Sequence, residues 1–168
     1  MNQVAELLRG ECLRRINESR SKINTALEKL SEDEVWYRPN AESNSMGNIL
    51  LHLCGNLTQY VLSSIGGQED HRKRSQEFTE QGPIPKLELA GSFNKVVNEV
   101  CHLISKMDEA ELEKKRPVQC YEESGVGILL HVTEHLSYHT GQIVYFTKWK
   151  RAESMHFYDE RALEAHGE

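Results

Sequence analysis

The chain has 168 residues, 38% of them hydrophobic, and a formal charge of −6 with histidine neutral. That is enough for a single domain over residues 1–168 with a real core, and too apolar for disorder. The short basic patches Arg72-Lys73-Arg74 and Lys114-Lys115-Arg116 are flanked by acids and read as solvated surface, so no nucleic-acid partner is expected. No apolar run approaches the roughly 20 residues of a membrane span. Met1 to Gly10 mixes Glu6 and Arg9 into an amphipathic pattern without a signal-peptide core, so the expectation is a cytoplasmic protein with no membrane partner.

Val4, Leu7, Leu8, Ile16, Ile23, Leu27 and Leu30 recur at helical spacing and predict a first helix over about residues 2 to 30. Ser31-x-x-Glu34 is a capping-box pattern for a short helical turn with Val35 and Trp36, broken at Arg38-Pro39-Asn40. Ser45 is a good N-cap for a second helix running to Gly66-Gly67, with Ile49, Leu53, Leu57, Tyr60 and Ile65 inward. A polar connection follows from Gln68 to Gln81, with room for a surface helix around Asp70 to Phe78, and Pro83 and Pro85 end it.

A third helix over about 86 to 107 carries Leu87, Phe93, Val97, Val100, Ile104 and Met107. Asp108 caps another short turn, and Pro117 interrupts the lead into a fourth helix over about 124 to 150. A polar tail begins at about Arg151. Four amphipathic helices without a convincing alternating strand predict an all-α four-helix bundle. Two long connections favour crossovers over a simple up-down-up-down order.

The last predicted helix holds His131, His135 and His139 in or beside its apolar stripe, while Thr133, Ser137 and Thr140 point away. A buried imidazole is costly unless its nitrogens are paired, and a transition metal pairs several at once. Histidines four apart can converge on one ion, but residues eight apart are separated by about 12 Å of rise. The pairs 131/135 and 135/139 therefore compete, and facing favours His135 with His139. The third ligand is expected to be His52, within Ile49-Leu50-Leu51-His52-Leu53 and flanked by Asn48 and Asn56. His71, His102, His156 and His166 lie in polar stretches or on a polar flank.

Three imidazoles leave an open coordination position, the arrangement of catalytic sites. Gln142, Tyr138, Asn48, Asn56 and Glu134 are candidates for supporting contacts around it. Cys12, Cys54, Cys101 and Cys120 are too scattered for a disulfide framework or a zinc knot and read as small apolar residues. Cys54 is of interest only for its closeness to His52. Trp36 and Trp149 read as packing residues. A lone Glu99-x-x-His102 falls short of a di-iron bundle signature.

These residues resemble the DinB/YfiT-like superfamily of metal-binding four-helix bundles. His131-Val-Thr-Glu-His135-Leu-Ser-Tyr-His139-Thr-Gly-Gln-Ile143 is similar to its last-helix motif. Trp36-Tyr-Arg-Pro39 and Ser45-Met-Gly-Asn-Ile-Leu-Leu-His52-Leu are similar to its entry into the second helix. The resemblance implies an up-down-down-up order, a homodimer, and a divalent metal on His52, His135 and His139, with no separate role for His131. Zinc or nickel suits such a site foremost, then iron, cobalt or copper. It also implies a metal-dependent enzyme with a small-molecule substrate, such as a thiol S-transferase using bacillithiol, mycothiol or glutathione. The attacking group would be a metal-bound thiol or water. The alternative is a non-enzymatic, stress-associated metal-binding or interaction bundle.

Overall fold

The computed structural model describes residues 3–164, so His166 lies outside the described residues. Helix α1 spans Gln3–Lys29, and its Ile16, Ile23 and Leu27 are buried. Ser31 Oγ accepts the Glu34 N–H while the Glu34 carboxylate accepts the Ser31 N–H, starting α2 at Glu32–Trp36. The same reciprocal cap recurs between Ser45 and Asn48 at the head of α3, Met46–Leu57. Such a cap satisfies amide donors that have no partner inside the helix. From Thr58 to Ser63 the helix widens into a π-helical turn that holds Tyr60.

Helix α4 (Arg74–Thr79) lies within the long polar connection, and α5 (Lys86–Lys106) buries Phe93, Val97, Val100 and Ile104. Asp108 caps α6, Glu109–Glu113. Strands β1 (Lys115–Val118) and β2 (Tyr121–Ser124) then form an antiparallel hairpin, with Arg116 opposite Glu123. Ser124 caps α7, Gly125–Arg151, and α8 (Glu160–Glu164) follows in the tail.

Cross-contacts give the helix order. Arg9 donates to the Met107 carbonyl and Asn24 bonds Asn94, so α1 and α5 run oppositely. Cys12 meets Thr133 while Lys29 reaches Glu153, so α1 and α7 run together. His52 faces His135 and Asn56 faces His131, so α3 opposes α7. The bundle is therefore up-down-down-up, with a long crossover connection between the parallel helices α3 and α5. Its shared core includes Ile16, Leu50, Leu53, Phe93, Ile128 and Leu136, all essentially inaccessible. No helix among the described residues is long and apolar enough to cross a membrane.

Several expectations need correction. The hairpin was not foreseen, because strands of four residues with Pro117 in one of them show too little alternation to read. Neither basic patch is wholly solvated. Arg116 is buried and bonds the Glu111 and Lys114 carbonyls and the Glu111 carboxylate. Arg72 is buried against Glu77. Val4, Leu7 and Leu87 are exposed rather than inward. Thr140 is buried, its hydroxyl satisfied by the Leu136 carbonyl. Cys120 is exposed, as is more than half of Trp149.

Candidate metal centre

Because α3 and α7 run oppositely, side chains one turn apart on one helix meet partners one turn apart on the other. His52 Nε2 lies 3.1 Å from His135 Nε2, which lies 3.2 Å from His139 Nε2. One ring nitrogen from each histidine falls within 4.8 Å of the others, so the group could hold a metal ion. Two nitrogens about 2 Å from one tetrahedral ion would be about 3.3 Å apart. The observed spacing suits that ion.

The outer nitrogens decide where the protons sit. His52 Nδ1 is 2.9 Å from Glu77 Oε2, and an ionised carboxylate only accepts. His139 Nδ1 is 2.7 Å from the Gln142 carbonyl oxygen, which also accepts. Arg72 Nη2 also lies 3.2 Å from His52 Nδ1, but it donates to Glu77 Oε2 at the shorter 2.9 Å, so both rings are assigned their proton on Nδ1 and turn a bare Nε2 lone pair inward. His135 can answer only one of them through its own Nε2, and its buried Nδ1 has no hydrogen-bond partner. Lone pairs facing one another at this depth are costly. A cation between them resolves the conflict, so the residues present fit a transition-metal ion.

Two of the three rings, His135 and His139, are held towards the neutral state that metals need. Burial, then the neighbouring His139 and His52 rings, push His135 down to about 3. Burial also lowers His139, against the opposing Gln142 hydrogen bond, and it lowers His131.

Glu77, on α4, links the cluster to a further layer. Arg72 Nε and Nη2 donate to its two oxygens at 2.7 and 2.9 Å, with both side chains largely buried. Burial alone would raise the Glu77 carboxyl. Arg72 and His52 outweigh it and hold the group below the usual carboxylate range. A carboxylate behind a ligating imidazole fixes its tautomer and strengthens it as a donor. Gly55 makes the approach possible: a Cβ there would overlap Glu77 Oε1 and come within 2.9 Å of Arg72 Nε.

A family model described as "Protein of unknown function (DUF1572)" matches residues 3–158. The chain belongs to the DUF1572 family. Among solved structures it is similar to a DinB-like protein, YjoA, from Bacillus subtilis. The TM-score is 0.64 at 15% identity, covering 86% of this chain and 94% of that one. At such identity the likeness concerns the fold, which in this DUF1572 chain is DinB-like. No curated protein matches the sequence.

In this DUF1572 protein His52, His135 and His139 come together, while His131 stands aside. Its ring stacks on Tyr60, with centroids 4.1 Å apart, and its Nε2 meets Asn56 Nδ2 at 3.2 Å. Asn56 thus serves His131 rather than the cluster. The Asn48 hydrogen bonds go elsewhere than to the rings. Asn48 donates to the Glu77 and Glu80 carbonyls at 2.9 and 2.8 Å, pinning the segment that delivers Glu77. Gln142 orients His139, and the exposed Tyr138 reaches only the edge of that ring. Glu134 is exposed and has no hydrogen bond to the cluster. The Cys54 thiol is pushed up to about 12 by burial and the Glu77 charge, which makes it inert. Sequence reasoning missed Glu77 and Arg72. The available signal was a carboxylate and an arginine in a connection long enough to fold back over α3.

Proposed function

We propose that His52, His135 and His139 bind one divalent transition-metal ion, and that the protein is a metal-dependent enzyme of the thiol S-transferase type. The observation that carries the first part is the convergence of Nε2 atoms whose outer nitrogens are committed to Glu77 and Gln142. The second part is supported by the donor set. Among the described residues no fourth histidine, cysteine or carboxylate joins the group, so a position stays open for a small molecule.

When bound, the ion would supply Lewis acidity, lowering the pKa of a thiol or water held beside it. The chain's own residues prepare that position. Glu77 keeps the His52 proton on Nδ1, Arg72 keeps Glu77 ionised, and Gln142 keeps the His139 proton on Nδ1. With Cys54 inert, that thiol does not compete with the incoming small molecule.

The test is isothermal titration of the zinc- or nickel-loaded protein with bacillithiol, mycothiol and glutathione. Saturable binding of one thiol, lost in His135→Ala, is the expected result. Stoichiometric metal without binding of any thiol would refute the transferase reading. Metal removal that lowers the melting temperature without changing any turnover would favour a structural ion instead.

A further inference from the structure

The α3/α7 seam continues past the histidines into a cleft of about 500 Å³. Its walls are set by register: Ile49 precedes His52 by one turn, and Gln142 follows His139 by one turn. Met46, Tyr145, Phe146 and Trp149 extend the walls away from the cluster. Gln142 belongs to both places, since its carbonyl oxygen holds His139 Nδ1 while its side chain lines the cleft. A volume of this size suits a small organic ligand.

The chemistry of the walls selects the ligand. Phe146 and Trp149 lie 5.9 Å apart with a 47° tilt, and Tyr37 backs both at 6.3 and 6.4 Å. Such faces favour stacking with another ring. The one carboxylate in the lining is the exposed Glu42, and no lysine or arginine lines the cleft. Lys150, the nearby cation, is engaged 3.8 Å above the Tyr37 ring. An anionic ligand would meet a like charge and no lining cation.

Resting on the metal-centre reading above, we infer that this cleft binds an uncharged aromatic small molecule as the second substrate of the site, its ring on Phe146 and Trp149 and its polar end towards Gln142. The anionic groups of a thiol cosubstrate are then accommodated outside the cleft.

The test is titration of the full-length protein with 1-naphthylmethanol, with zinc content measured on the same samples. Saturable binding is expected, weakened about tenfold by Trp149→Ala and several-fold by Tyr145→Ala. Both side chains are exposed, so the variants keep the core, which circular dichroism verifies. In chelator-treated protein, 1-naphthoate is expected to bind about tenfold more weakly than the alcohol, and Glu42→Lys to narrow that gap. Zinc-loaded protein that fails to bind naphthylmethanol, or binds it regardless of both wall variants, overturns the cleft assignment and leaves the metal reading intact. Equal affinity for the alcohol and the naphthoate overturns the charge selection. Wall-dependent binding in a protein that takes up no zinc supports the cleft as an aromatic site and defeats the metal reading alone.

Discussion

Replacing Glu77 by glutamine keeps the shape of the side chain and removes its charge. In the wild-type protein the carboxylate accepts three hydrogen bonds, two from Arg72 at 2.7 and 2.9 Å and one from His52 at 2.9 Å. The amide retains one acceptor oxygen, so the Arg72 fork is half broken in either orientation, and with the amide nitrogen at the Oε2 position His52 loses its acceptor as well. A charge-assisted bond in a largely buried place contributes about 2 kcal/mol, which for a domain of this size is roughly 4–8 °C of melting temperature. Metal affinity should fall as well, because His52 is free to place its proton on Nε2 and close the lone pair. Loss of such supporting carboxylates costs about 10- to 100-fold, or about 1.4–2.7 kcal/mol. Zinc competition against a chromophoric chelator measures the affinity, and thermal denaturation in chelator measures the metal-free stability. Unchanged zinc affinity and unchanged melting temperature in Glu77→Gln would refute the idea that this carboxylate sustains the cluster.

Other substitutions and conditions test neighbouring links. Gly55→Ala should displace Glu77 and Arg72 and mimic Glu77→Gln in zinc competition, although residue 55 contacts no candidate ligand nitrogen. His131→Ala should retain the wild-type zinc stoichiometry by elemental analysis while losing some stability, because its ring serves Tyr60 and Asn56. A drop in stoichiometry would return His131 to the ligand set. In the metal-free protein His131, His135 and His139 resist protonation below their ordinary value of 6.5, whereas the unfolded chain does not. Their contribution to stability is therefore complete above 6.5 and is lost as the pH falls towards the folded values. Glu77, lowered from 4.5, adds to that loss only below its ordinary value. The melting temperature in chelator should thus decline from pH 7 to pH 5, and a flat profile would contradict the buried, neutral rings.

The parts legible in the sequence are those governed by helical period. Facing along α7 separated His135 and His139 from His131, and the polar residues flanking His52 marked it within an apolar run. Capping residues Ser31, Ser45 and Asp108 announced their helices because their bonds are local. What escaped notice depends on tertiary contacts. Arg72 and Glu77 sit in a connection with no regular period, and they become buried only because the Asn48 amide holds the backbone at Glu77 and Glu80. Asn48 stands beside the site as its spacing from His52 implies, and acts there through the backbone that delivers Glu77. Trp149 read as a packing residue because an aromatic at helical spacing usually is one. Here α3 has not yet begun opposite it, which leaves the ring on the cleft wall.

The most direct test of the metal centre is the elemental content of the protein purified from its native source, with His135→Ala prepared in parallel. The account predicts one equivalent of a divalent transition metal in the wild type and its loss in His135→Ala. Wild-type protein without stoichiometric metal, or a variant that keeps the full equivalent, would contradict it.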